Sequence, residues 1–282
     1  LLARCYPHMK RWISYMQDRS DGHLVVREEE GGWCLGEWCT LDSVELPEPF
    51  VNTFFLIKSL QKIQEIAHIL NASDNYESEI ALIQNAWKTA YYNPDTNTYC
   101  NGIQGADAFA LDIGMGNEAM LTNLVATYER KQHFDTGIFG TDILVDVLCK
   151  HGYVDLVYDL LTATGPGTYG YLQETTATTL WERWDGSESH NHHMFGAPVK
   201  HYIYSFLGID FTNELTIRPN IPQKLESVTA RVDTLAGSVD IESKRTHDSI
   251  QFTIKSSVDS TFHYNAQEFT LKKDRAYTLN FA

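Results

Sequence analysis

No apolar run in this chain reaches the ~18–20 residues that a membrane-spanning helix needs, and no secretory signal pattern is visible. A membrane partner is therefore not expected. Basic residues are scarce: Lys and Arg total 22 against 37 Asp and Glu, a net charge of −15. The excess is spread along the chain instead of being gathered in a tail, and such a field repels nucleic acid while leaving a neutral substrate unaffected. Cysteines are few, odd in number and scattered: Cys5, Cys34, Cys39, Cys100 and Cys149. That excludes a disulfide framework and a paired CxxC zinc site. Cys34 and Cys39 are close enough in sequence to pair, but two free thiols are the better reading, which leans toward a reducing, cytoplasmic compartment. No cofactor or metal is called for.

What is present is enough for a large core. The 282 residues are 43% hydrophobic, which suits one large domain or two smaller ones. The chain opens on "LLARCYPHMKRWISYM", already helical in spacing at Tyr6, Met9, Trp12, Ile13 and Met16. A start in mid-helix without methionine leads us to expect that the N-terminal part of a longer protein precedes it. A long loop with glycine turns and two prolines, "SDGHLVVREEEGGWCLGEWCTLDSVELPEP", follows, and loops of that length are often functional. Helical periodicity then returns from Phe50 and recurs, broken by glycine and proline, as far as "GAPVKHYIYSFLG". There Phe195, Val199, Tyr202, Ile203 and Phe206 fall on one helical stripe. From about residue 211 the period changes to two, in about seven short segments such as "SVTARVDT" and "SIQFTIKSS", which predicts a β-sandwich. Roughly eight helices with short returns suit antiparallel neighbours. They are too many for a four-helix bundle and fit part of an α/α barrel. Helices first and strands later separate into two domains, placed at 1–210 and 211–282.

Three stretches do not read as core. In "TTATTLWERWDG" the threonines favour extended backbone, which puts Trp181 and Arg183 on one side and Glu182 and Trp184 on the other. A carboxylate beside an indole is partly desolvated and suited to proton transfer. A surface glutamate paired with Arg183 is the plain alternative. In "SHNHHMFG", His190, His192 and His193 have no acidic partner at ligand spacing, which disfavours a metal. Imidazole can both donate to and accept from a polar ligand, or the segment is a helix entry capped by Asn191. In "GGWCLGEWC", Trp33 and Trp38 near Glu37 either plug the core or form a platform for a sugar ring.

Together these segments resemble the α-L-rhamnosidases of glycoside hydrolase family 78. "ATTLWERWDG" is similar to that family's ATT-x-WE-x-W-D segment, "NHHMFG" to its N-H-x-x-F-G segment and "LGEWC" to its GDW segment. "NGIQGADAFAL" and "TGIFGT" resemble its barrel helices, and the closing β segments resemble its C-terminal sandwich. The resemblance implies a partial (α/α)6 barrel followed by a β-sandwich, and inverting hydrolysis of a rhamnose-containing oligosaccharide or glycoside. It implies Glu182 as general base, His192 on the sugar hydroxyls, and Trp33 and Trp38 as walls of the −1 subsite, with Glu37 and Trp181 counted among the sugar contacts. The family's general acid lies in an RDER-like segment early in the barrel. "VVREEEGG" at 25–32 is not that segment, so the acid is expected upstream. Two readings compete: another α/α-barrel carbohydrate enzyme, such as a glucosidase or uronyl hydrolase, and a non-catalytic sugar-binding module. Arg27 and Arg183 are the only basic side chains besides histidine in the motif loops, which favours a neutral sugar over a uronate.

Overall fold

A computed structural model describes residues 1–26, 35–175 and 177–282. They divide into two compact units, Leu1–Val147 with Ala163–Phe195 and Leu148–Thr162 with Gly196–Ala282. Two-residue strands begin at Ile209 and the long strands at Ser227. The division by compactness takes Leu148–Thr162 and the helical turns after Gly196 into the second unit.

In the first unit, α1 (Leu2–Asp18) leads into a hairpin of β1 (Ser20–Asp21) and β2 (Leu24–Val25). Gly22 and His23, which join these strands, both have positive φ, 54° and 69°, as a two-residue hairpin turn of this hand requires. Helix α2 (Glu48–Ile69) starts directly after Pro47. It buries Phe50, Phe54 and Ile57 on one side and Thr53, Leu56, Leu60, Ile63 and Ala67 on others, the pattern of a helix enclosed by the core. Both α1 and α3 (Glu77–Tyr91) pack on it. Trp87 of α3 donates its indole N–H to the Phe50 carbonyl at 2.9 Å and stacks between Phe50 and Tyr99, with ring centroids 4.6 Å away on each side.

Strands β3 (Tyr92–Asn93) and β4 (Thr98–Tyr99) form a second small hairpin, followed by α4 (Ala106–Asp112) and α5 (Glu118–Lys131). The Asn117 side chain caps α5 by accepting from the Met120 N–H at 3.0 Å, the role for which asparagine is favoured there. Helix α6 (Ile138–Lys150) comes next. Helix α7 (Val154–Thr162) belongs to the second unit, and α8 (Tyr169–Glu174) returns to the first.

The second unit departs from the sequence expectation before its strands begin. The predicted α-helix over "GAPVKHYIYSFLG" is a 3-10 turn at Met194–Val199 followed by a π-helical turn at Tyr202–Phe206. Neither has a period of 3.6, so the expected stripe does not stay on one face: Phe206 is buried while Val199 and Tyr202 are 60% and 42% exposed. Gly208 ends the segment, because a Cβ there would stand 1.8 Å from the Arg218 carbonyl oxygen.

Strands β5 (Ile209–Asp210), β6 (Thr216–Ile217), β7 (Ser227–Asp233), β8 (Ser238–Arg245), β9 (Ile250–Ser256), β10 (Ser260–Tyr264), β11 (Gln267–Leu271) and β12 (Ala276–Phe281) follow. They pair in two four-stranded sheets, β11-β10-β6-β5 and β12-β9-β8-β7. All pairs are antiparallel except β6 with β10. Alternation puts Val239 and Ile241 of β8 and Ile250, Phe252 and Ile254 of β9 into one core with Ile217, Phe262 and Leu271 of the other sheet. Among the described residues no helix is long and apolar enough to cross a membrane.

Candidate active site

The Trp-Glu-Arg-Trp segment lies on a loop of the first unit after α8, and its two arms are tied by backbone hydrogen bonds. The Glu182 N–H donates to the Ser189 carbonyl at 2.8 Å and the His192 N–H to the Leu180 carbonyl at 2.9 Å. At the tip, the Gly186 N–H donates to the Arg183 carbonyl at 3.1 Å. Gly186 has a φ of +74°, and a Cβ on it would lie 2.6 Å from the Trp181 ring, so only glycine lets the arms close here. His190 stacks on Trp181 with centroids 4.4 Å apart. Trp184 anchors the loop: it is 2% exposed and packs on Phe134, Tyr169 and Phe195. The Tyr169 hydroxyl donates to the Phe195 carbonyl at 2.6 Å.

This arrangement brings Glu182 and His192 together. Oε2 of Glu182 lies 3.3 Å from Nδ1 of His192, with side chains 22% and 23% exposed, so water and a ligand can reach both. The alternation expected for extended chain holds only in part. Trp184 turns into the core while Glu182 stays accessible, so the two do not share a face. Arg183 is 3.9 Å from Glu188, and the partner that the structure gives Glu182 is the histidine. His193 is exposed, its ring centroid 6.5 Å from that of His192.

The tryptophan loop meets this segment through Trp38. The Arg183 guanidinium lies 5.5 Å from the Trp38 ring centroid, a cation–π distance. Cys39 follows in a left-handed conformation, φ 58°, and is buried. Its thiol is pushed up to about 11, chiefly by burial. Arg183 opposes that rise, while Glu182, Glu188 and Glu37 add to it. Upstream, Gly36 has φ +61° and lies against the first turn of α2, where a Cβ would stand 2.7 Å from the Glu48 Cα. Downstream, the buried Gln104 side chain accepts from the Glu45 and Leu46 N–H groups and donates to the Ser43 carbonyl.

Glu37, expected as a sugar contact, is placed elsewhere. It is 1% exposed. Its Oε1 accepts from the N–H groups of Trp38 and Phe139, both at 3.0 Å, and its Oε2 from Gly140 at 2.6 Å. The carboxyl thus sits on the N-terminus of α6, where helix N–H groups lack internal partners. Burial pushes it up to about 7 against the opposing pull of those three N–H groups. A buried carboxyl with both oxygens occupied offers nothing to a sugar, and this corrects the sequence reading. Trp181 is half-buried with one ring face covered by His190. Trp33 and Cys34 lie outside the described residues, as does most of "VVREEEGG".

Sequence reasoning passed over Arg183 as a contact of Trp38, Trp184 as an anchor, and Gly137 and Gly140 as the seat of Glu37. A Cβ on Gly137 would stand 2.1 Å from the Trp38 carbonyl oxygen, and one on Gly140 2.7 Å from Glu37 Oε2. The two glycines of "TGIFGT" were the legible signal of a close approach.

Residues 1–206 match the bacterial alpha-L-rhamnosidase 6 hairpin glycosidase domain. An alpha-L-rhamnosidase of Alteromonas sp. (strain LOR) is 24% identical over 312 residues, covering 97% of this chain and 34% of its own length. One from Streptomyces avermitilis is 28% identical over 261 residues, covering 85% and 25%. Among solved structures, Streptomyces avermitilis alpha-L-rhamnosidase complexed with L-rhamnose aligns with a TM-score of 0.84 at 24% identity, covering 100% of this chain and 31% of that one. The Aspergillus terreus enzyme aligns at 0.83 and 19% identity, covering 99% and 36%. The fold is therefore the expected one, a partial (α/α)6 barrel with a C-terminal β-sandwich. The chain spans about a third of the Alteromonas relative's length and a quarter of the Streptomyces one's.

Proposed function

The chain belongs to the bacterial alpha-L-rhamnosidase 6 hairpin glycosidase family, and we propose that it carries the base-bearing part of a glycoside hydrolase that releases terminal α-L-rhamnose with inversion. One observation carries the assignment of Glu182: it is a water-accessible carboxylate 3.3 Å from His192, on a loop closed by its own backbone hydrogen bonds and anchored by Trp184. In an inverting reaction the base takes a proton from water as that water attacks the anomeric carbon. A second carboxyl, about 6.5–9.5 Å from the first, protonates the departing oxygen. Glu182 takes the first role. His192 holds Glu182 from one side and offers a ring nitrogen to a sugar hydroxyl, while Trp38 presents an indole to the sugar's C–H face. Glu37 is unsuited to the second role because both its oxygens are engaged, so the acid is assigned to a part of the protein outside these residues. The Streptomyces avermitilis relative in complex with L-rhamnose supports the choice of sugar.

Two measurements on the intact protein test this. Glu182→Gln lowers kcat on an aryl α-L-rhamnoside by about 10²–10⁴, and turnover like that of the wild type removes Glu182 from the base role. Proton NMR of the first product shows β-L-rhamnose before mutarotation; the α-anomer appearing first rules out inversion.

A further inference from the structure

We propose that Glu37 is a positioning residue, whose carboxyl, seated on the first turn of α6, holds Trp38 against the segment that carries Glu182. The proposal rests on the reading that Trp38 and Glu182 border the sugar site. Its geometry, however, is independent of any ligand.

The Glu37–Trp38 pair satisfies three consecutive N–H groups at the start of α6. The Trp38 carbonyl accepts from Ile138 at 2.9 Å, Glu37 Oε1 from Phe139 at 3.0 Å and Glu37 Oε2 from Gly140 at 2.6 Å. The first bond internal to the helix is the next one, from the Thr141 N–H to the Gly137 carbonyl at 2.9 Å. Trp38 is consequently gripped at both ends of its own backbone, its N–H by Oε1 of Glu37 and its carbonyl by α6. Gly137 and Gly140 leave no room for a side chain between the loop and the helix, so the approach is as close as the backbone permits. After Trp38 the left-handed Cys39 turns the chain into the interior. The indole meets the guanidinium of Arg183, next in sequence to Glu182. A platform residue on a long loop is thus tied to a helix end. Placing a rigid ring before the sugar arrives removes part of the ordering cost of binding.

A merely structural role for Glu37 lowers stability without regard to Trp38, and a double-mutant cycle separates the two. In the intact protein, L-rhamnose affinity is measured by calorimetry for Glu37→Gln, Trp38→Ala and the double variant, with melting curves confirming that each is folded. The expected result is weaker binding in both single variants and no further loss when Glu37→Gln is added to Trp38→Ala, a coupling of roughly fivefold or more. Glu37→Asp, which keeps a carboxylate for the helix N–H groups, recovers most of the loss, and Glu37→Asn replaces Glu37→Gln in the cycle if that variant does not fold. Equal losses from the Glu37 substitution in both backgrounds overturn the proposal and leave the sugar reading of Trp38 intact. Unchanged affinity in the Glu37 variant, with Trp38→Ala weakened, does the same. Full affinity in Trp38→Ala removes Trp38 from the sugar site and the proposal with it.

Discussion

His192 and Glu182 face each other across the two arms of one loop, Nδ1 to Oε2 at 3.3 Å. The same arms are paired through the backbone, Glu182 to Ser189 and His192 to Leu180, so the distance between the two side chains is set by main-chain bonds. In the proposed reaction the histidine therefore serves two neighbours, the carboxylate and the sugar.

Replacing His192 with alanine is expected to weaken sugar binding chiefly. A hydrogen bond to a hydroxyl contributes roughly 0.5–1.5 kcal/mol net, and more where the partner is left buried. Calorimetric titration of the intact protein with L-rhamnose measures this. Unchanged affinity transfers the role to His193, the exposed neighbour.

Residues 1–282 expressed alone are expected to show no turnover of an aryl α-L-rhamnoside. Glu182, the base we propose, is present, but protonation of the leaving oxygen needs a second carboxyl, which we place outside these residues. Clear activity would assign the acid role within the chain. Glu48 would be the first candidate, since it is exposed while Glu37 is buried with both oxygens occupied.

Gly140→Ala sets two effects against each other. In a helix, alanine is favoured over glycine by about 0.8–1 kcal/mol. Here the new methyl would stand 2.7 Å from Glu37 Oε2 and 3.1 Å from Thr136 Cβ. The carboxyl cannot swing aside without abandoning three N–H groups. Overpacking of this kind costs about 1–3 kcal/mol, so the clash prevails and the variant melts lower. A rise in melting temperature would show that the seat of Glu37 is looser than this geometry.

The Glu37 carboxyl gives a pH dependence of definite sign. Its value in the fold, about 7, lies above its ordinary 4.5 because burial disfavours the charge. Between those two values the folded protein binds more protons than the unfolded chain, so stability is lost as pH rises through that window. The loss is on the order of 3 kcal/mol at 1.36 kcal/mol per pH unit. Urea midpoints from pH 4.5 to 7.5 should fall more steeply for the wild type than for Glu37→Gln. The opposite ordering would mean that the helix N-terminus and its three N–H groups hold the carboxylate charged.

Much of this protein is written locally. The helical spacing of α1 and the alternation of β8 and β9 each depend on residues a few positions apart, and the sequence shows them. The loop that carries Glu182 is legible for the same reason: Glu182, Trp184, Gly186 and His192 lie within one short stretch, so their grouping survives without a fold. What the local pattern could not settle there was direction. An extended chain puts Glu182 and Trp184 on one side, but the arms pair through the backbone, and Trp184 finds Phe134 and Tyr169 to bury against.

The role of Glu37 belongs to tertiary structure alone. Its partners are the N–H groups of Phe139 and Gly140, 102 and 103 residues away, and a backbone N–H carries no side-chain signature. On the sequence, a carboxylate between two tryptophans reads as a sugar contact. Only when α6 presents its unpaired first turn beside the loop, with glycine at 137 and 140 to let it approach, do both oxygens of that carboxyl find buried partners. Sequence by itself determined which residue types stand near the site. The packing of α6 against the tryptophan loop decided which carboxylate faces water and which one is buried on a helix end.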